Sequence, residues 1–127
     1  MNNIHVITGG AGCIGSELAG ELLRRGEKVR VIDNLSSGRL EHVKEFLPNP
    51  NFTFILSDVL NLAALDEALS GGVDTVWHLA AKTDIKFTEA YDFEADFREN
   101  FVVTWGLLRV MRAQKVKKLA FASSAAV

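Results

Sequence analysis

Four of the chain's ten glycines fall within TGGAGCIGS, Thr8 to Ser16. Gly9, Gly12 and Gly15 recur every third position, while Gly10, Gly12 and Gly15 satisfy G-x-G-x-x-G, so two registers of a phosphate-binding turn overlap. Such a turn works through its backbone. Glycines allow a tight bend and close approach of a ligand, and the N–H groups that open a following helix receive phosphate oxygens. Asp33, 18 residues after Gly15, is an acid of the kind that accepts hydrogen bonds from the hydroxyls of an adenosine ribose. Both assignments require a particular setting: a strand before the glycines, a helix after them, and the acid at the end of the next strand.

The surrounding sequence supplies that setting. IHVIT (4–8) is a short apolar run typical of a strand buried on both faces. After the glycines, Ile14, Leu18 and Leu22, with Ala19 and Leu23, recur at helical spacing as far as Arg25, and Gly26 is a natural stop. KVRVID (28–33) predicts a second strand that ends on Asp33. Leu40, Val43 and Leu47 predict an amphipathic helix ending at Pro48. NFTFIL (51–56) predicts a third strand, Leu62, Leu65 and Leu69 a short helix closed by Gly71 and Gly72, and VDTVWHLA (73–80) a fourth strand. A long helix is expected from near Thr88 to near Gln114, followed by a fifth strand in KLAFAS (118–123). Alternating strands and helices imply right-handed crossovers and a doubly wound α/β domain, with a parallel sheet that binds ligands outside the carboxyl ends of its strands. In that context the glycines are expected to make room for a dinucleotide. Asp33 favours the free 2′-hydroxyl of NAD over the extra phosphate of NADP, with Arg39 the one nearby cation that argues the other way.

Composition excludes other classes. At 127 residues, 48% hydrophobic and 24% charged, the chain reads as one soluble globular domain, 1–127. A net charge of −2 gives no field for a nucleic-acid partner, and Lys115, Lys117 and Lys118 read as a solvated helix end and strand start. The N-terminus enters an apolar strand with no basic region, long apolar run or cleavage signal, so the expected address is cytoplasmic, with no membrane partner. Cys13, the sole cysteine, excludes an internal disulfide, and His5, His42 and His78 lack metal-ligand spacing, so no metal is expected. His78 reads as a hydrogen-bonded structural residue at a strand end, and Asp92, Glu94 and Asp96 as a solvated helix face. Phe93, Phe97, Phe101 and Trp105 recur every four residues, a stripe that is either core or an interface.

TGGAGCIGS, VIDNLSSG, SDV, VWHLAA, Asn100 and FASSAAV occur in an order and spacing that resemble the extended short-chain dehydrogenase/reductase family, in its NAD-dependent sugar-nucleotide epimerase and dehydratase branch. DNLSSGR and VWHLAA look most similar to UDP-glucose 4-epimerase-like members, though 4,6-dehydratases and 3β-hydroxysteroid dehydrogenases share these blocks. The resemblance implies that Gly9, Gly12 and Gly15, with Cys13 and Ile14, line the pyrophosphate, and that Asp33, Asn34, Ser37 and Gly38 surround the adenosine ribose. It implies that Asp58 and Val59 flank the adenine, while Leu79, Ala80 and Ala81 pass beside the nicotinamide-side phosphate and ribose. Lys82 stands at a position that contacts cofactor or faces solvent, and Asn100 supports the nicotinamide end from the long helix. Ser124 matches the family serine that orients the reacting sugar oxygen, a catalytic role. The family's long helix also lies at a dimer interface, which implies a homodimer.

Two departures stand out. Cys13 replaces the usual aromatic and reads as a small packing residue rather than a reactive thiol. The only tyrosine, Tyr91, has Ala95 four residues on, so no Tyr-x-x-x-Lys pair occurs in these 127 residues. The resemblance therefore implies a cofactor-binding part, without the substrate lobe, of an enzyme acting on a nucleotide sugar such as a UDP-sugar, itself inactive in epimerisation. The alternative is a non-catalytic NAD-binding module that senses cofactor or pairs with a partner.

Overall fold

The computed structural model describes residues 3–80, Glu94 and residues 97–122. Strands β1 (Ile4–Thr8), β2 (Lys28–Asp33), β3 (Phe52–Leu56), β4 (Thr75–His78) and β5 (Lys118–Phe121) form one parallel sheet in the order β3-β2-β1-β4-β5. The α-helices with bounds among the described residues are α1 (Cys13–Arg24), α2 (Leu62–Ala68) and α3 (Val103–Ala113). Successive side chains of a strand point to opposite faces, and the core divides accordingly. Val6, Ile32 and Val76 pack with Leu65, Leu69 and Leu107 on one face, while Ile7, Val29 and Val31 pack with Ala19, Leu22 and Val43 on the other. The sheet is doubly wound, as expected. Strand order reverses between β1 and β4, and it is outside the carboxyl ends of the strands at such a reversal that parallel sheets of this kind hold ligands.

Four local expectations are corrected. The segment 40–47 is not an α-helix but two 3₁₀ turns, Leu40–His42 and Lys44–Phe46, separated at Val43 by a backbone with φ −119° and ψ 0°. Val43 is buried and Phe46 packs against the same core cluster, while Leu40 and Leu47 are exposed. Strand β4 stops at His78: the Leu79 N–H is shared between the Thr8 carbonyl and the Thr8 hydroxyl, both at 3.1 Å, and the Ala80 N–H turns onto the hydroxyl. Ile14 is 75% exposed and takes no part in the apolar stripe of α1. The long helix is not uniform in its described part: a π-helical turn, Arg98–Val102, precedes α3. The helix ends where Lys115 adopts a left-handed φ of +61°, which lets the Val116 N–H return to the Met111 carbonyl at 2.9 Å.

Phe97, Phe101 and Trp105 are all more than half exposed, so this part of the aromatic stripe is not core. The Phe97 and Phe101 rings stack at 5.1 Å, and the Arg109 guanidinium lies 4.9 Å from the Trp105 ring centre. Lys115, Lys117, Lys118 and Glu94 are exposed as expected. Among the described residues no helix is long and apolar enough to cross a membrane.

Candidate functional site

The glycine turn leaves β1 at Thr8 and enters α1 at Cys13, beside the point where the strand order reverses. Gly9 has a left-handed φ of +71°, and a Cβ there would lie 2.8 Å from the Ala80 nitrogen, so the turn lies directly against the exit of β4. A Cβ on Gly15 would sit 2.6 Å from both Gly10 Cα and the Gly9 oxygen, which is how closely α1 is drawn onto the turn. At Gly12 a Cβ would meet only the Gly9 oxygen, at 3.3 Å, so this side of the turn is open. Gly12 is also the N-cap of α1, where no side chain caps the helix and no acid occupies the first turn. The first N–H groups of a helix have no intrahelical acceptor, and here they are left to an anion. Both sequence registers therefore describe one turn, with an uncapped helix start that fits a pyrophosphate.

Asp33 is buried at 7% exposure, and its carboxylate is already engaged. Oδ2 accepts from the Ala11 N–H at 3.0 Å, and Oδ1 accepts from the Leu35 N–H at 2.7 Å. Each carboxylate oxygen keeps further lone-pair capacity, so the group can brace the turn and still accept from ribose hydroxyls. Asn34 Oδ1 accepts from the Ser36 N–H at 3.0 Å, which folds the segment after Asp33 locally. A Cβ on Gly38 would lie 2.8 Å from Asp33 Oδ2 and 3.0 Å from Ala11, so the returning loop passes close to both. Ser37 is exposed beside it.

Beyond β3, Asp58 is exposed, with Oδ1 accepting from the Leu60 N–H at 2.9 Å, and Val59 packs against the core. Leu79 and Ala80 follow β4. Thus segments 9–15, 33–38, 58–59 and 79–80 all follow the carboxyl ends of neighbouring parallel strands, and the topology gathers them along one rim. Ala81, Lys82 and Ser124 lie outside the described residues, as do Tyr91, Asp92, Phe93 and Asp96. Cys13 is exposed at the helix start rather than packed into the core.

The exit of β4 is held by a chain of side chains. Thr8 Oγ1 accepts from the Leu79 and Ala80 N–H groups, both at 3.1 Å, and lies 2.7 Å from His78 Nδ1. On the other side of the ring, His78 Nε2 is 3.1 Å from Thr104 Oγ1, whose own hydrogen goes to the Asn100 carbonyl at 2.8 Å. Having given that hydrogen away, Thr104 can only accept from His78, so Nε2 carries the proton and Nδ1 receives the Thr8 hydroxyl. His78 is 3% exposed, and burial holds its pKa below the usual imidazole value, consistent with a neutral ring. Asn100, in the π-helical turn, is thereby tied through its backbone to β4 and β1. The structural reading of His78 holds, and the ring joins the glycine side of the rim to α3.

Sequence reading missed Thr8, Ala11, His42 and Thr104. Ala11 is fully buried within the turn, and its carbonyl accepts from the Arg39 N–H at 3.0 Å and lies 2.7 Å from His42 Nδ1. The only available signal was indirect: an alanine enclosed between glycines needs something outside the turn to hold it. No group of three or more His, Cys, Asp or Glu suited to a metal occurs among the described residues.

Known proteins resemble this chain in sequence and in fold. A UDP-glucose 4-epimerase of Dictyostelium discoideum is 35% identical over 125 residues, covering 96% of this chain and 36% of the relative. A UDP-glucuronic acid decarboxylase of Arabidopsis thaliana is 44% identical over 75 residues, 59% of this chain and 16% of the relative. The solved UDP-glucose 4-epimerase of Thermus thermophilus, in complex with NAD, superposes with a TM-score of 0.81 at 33% identity, over 95% of this chain and 37% of that one. The chain thus spans little more than a third of the two epimerases. The doubly wound sheet is of the Rossmann type found in solved epimerases. Because the model of the NAD dependent epimerase/dehydratase family matches residues 5–127, from within β1 to beyond β5, the chain belongs to that family.

Proposed function

We propose that these 127 residues form the NAD-holding part of a nucleotide-sugar 4-epimerase whose substrate is a UDP-sugar. The observation that carries the proposal is the open, uncapped start of α1 beside the buried Asp33 carboxylate, both at the switch point of a parallel sheet. On this reading the turn from Gly9 to Gly15 receives the pyrophosphate, with Cys13 and Ile14 exposed beside it. Asp33 accepts from the adenosine ribose, with Asn34, Ser37 and Gly38 around it. Asp58 and Val59 border the adenine, and Leu79, Ala80, Ala81, Lys82 and Asn100 surround the nicotinamide end. Bound NAD supplies reversible hydride acceptance from the sugar carbon. Ser124 orients the sugar oxygen. No Tyr-x-x-x-Lys pair lies within these residues, so the proposal assigns them cofactor holding rather than proton transfer, and the isolated chain is expected not to epimerise. The exposed aromatic side of the π turn and α3 is assigned to a second copy of the chain.

Calorimetric titration of the folded chain with NAD and, separately, NADP tests this reading. NAD binding that exceeds NADP binding is expected. A folded chain that binds neither overturns it.

A further inference from the structure

Ala11 sits between Gly10 and Gly12, two residues whose backbones have little stiffness of their own, yet both peptide groups of Ala11 are fixed from outside the turn. Its N–H donates to Asp33 Oδ2 at 3.0 Å. Its carbonyl accepts from the Arg39 N–H at 3.0 Å and meets His42 Nδ1 at 2.7 Å. A carbonyl offers only lone pairs, so Nδ1 must carry a hydrogen and donate it. All three partners lie between residues 33 and 42: Asp33 ends β2, and Arg39 and His42 belong to the connection from β2 to β3.

The consequence follows from peptide planarity. The Ala11 carbonyl and the Gly12 N–H belong to one rigid unit, so a donor that fixes the carbonyl also fixes the direction of that N–H and the entry into α1. The Gly12 N–H already points to the Gly9 oxygen at 3.2 Å, which closes the turn. His42 is half-buried and lines one cleft with Ser16 and Glu17 of α1.

We propose that His42 is a positioning residue for the phosphate turn: its Nδ1–H locks the Ala11 carbonyl, and with it the entry into α1, whose first N–H groups are offered to the pyrophosphate. This rests on the NAD reading above for the identity of the ligand, but the lock itself is a property of the free chain. The side chain acts as a donor at one fixed position. Asparagine carries its Nδ2 on Cγ, as histidine carries Nδ1, so it can place a donor in nearly the same place, whereas leucine fills space without one.

The test compares wild type, His42→Leu and His42→Asn as full chains in two measurements: amide hydrogen exchange of segment 9–16 without ligand, and calorimetric titration with NAD. His42→Leu is expected to speed exchange in 9–16 while sparing β3, and to weaken NAD binding about fivefold, the effect of one lost hydrogen bond. His42→Asn is expected to restore both to within about twofold. Unchanged exchange in His42→Leu overturns the proposal, as does His42→Asn behaving like His42→Leu, since ring volume rather than the donor would then matter. If His42→Leu loosens every segment, His42→Asn against His42→Asp decides: the two are isosteric, and only Asn can donate. Equal exchange in that pair overturns the lock. A wild-type chain that binds no NAD defeats the cofactor reading alone, because the exchange comparison still decides the lock.

Discussion

Two histidines hold opposite flanks of the same rim, and each uses Nδ1 in the opposite sense. His42, half-buried, donates from Nδ1 to the Ala11 carbonyl. His78, almost fully buried, accepts at Nδ1 from the Thr8 hydroxyl. The partner oxygen explains the difference. A carbonyl has no hydrogen to give, whereas the Thr8 hydroxyl has one hydrogen and an oxygen already committed to the amides of Leu79 and Ala80. Protonation leaves the His42 donor in place. Protonation of His78 would set two hydrogens against each other at a buried contact whose described neighbours, Thr8, Thr104 and Phe121, offer no compensating charge. The flank around the glycine turn therefore requires a ring with its hydrogen on Nδ1, and the flank at the β4 exit is built for the neutral ring with its hydrogen on Nε2.

Thr8→Val should break the comparison most sharply. It keeps the shape of the side chain but strips the Ala80 N–H of its acceptor and His78 Nδ1 of its donor, for an expected loss of about 2–4 kcal/mol. Urea denaturation measures this, with Thr8→Ser recovering most of it. A loss below about 1 kcal/mol would mean the β4 exit does not depend on the hydroxyl.

A smaller effect should appear with pH. The folded-state pKa of His78 lies below its unfolded value, so between the two the unfolded chain binds more protons. Its contribution is complete above the unfolded pKa, near 6.5, and is lost as the pH falls from there through the folded value. The slope from this one group is at most about 1.4 kcal/mol per pH unit. His78→Gln, which keeps a donor for Thr104, should show a flatter stability profile than wild type. Parallel profiles for the two proteins would remove His78 as the source.

The smallest stability change is expected for Phe101→Glu, one residue beyond Asn100 but exposed. Both flanks should survive it, with stability altered by no more than about 0.5 kcal/mol. If the aromatic side meets a second copy, light scattering should give twice the chain mass for wild type and a single mass for the variant. A wild type of single mass would sink the dimer assignment.

Much of the architecture was legible in sequence because burial on both faces writes itself into composition: IHVIT and KVRVID mark strands whose observed ends match the apolar runs. The glycine turn and Asp33 were legible for a related reason, since backbone approach and a strand-end acid each demand a residue type at a fixed spacing. Where short-range periodicity served two structures equally, it misled. Leu40, Val43 and Leu47 suit a helix by spacing, but the inward pair is Val43 and Phe46, and the segment forms 3₁₀ turns.

The sequence by itself determined the alternation of elements, the position of the glycine turn and the acid that closes the second strand, because each is a local pattern. Only the tertiary structure decided what those parts touch. It turned Asp33 toward Ala11 as well as toward the rim, and brought Thr8 to His78 across 70 residues. It likewise set His42 against a carbonyl 31 residues away. Hydrogen bonds of that reach leave no period in the chain, since they depend on which strands become neighbours and on which oxygen still has a lone pair or a hydrogen to share.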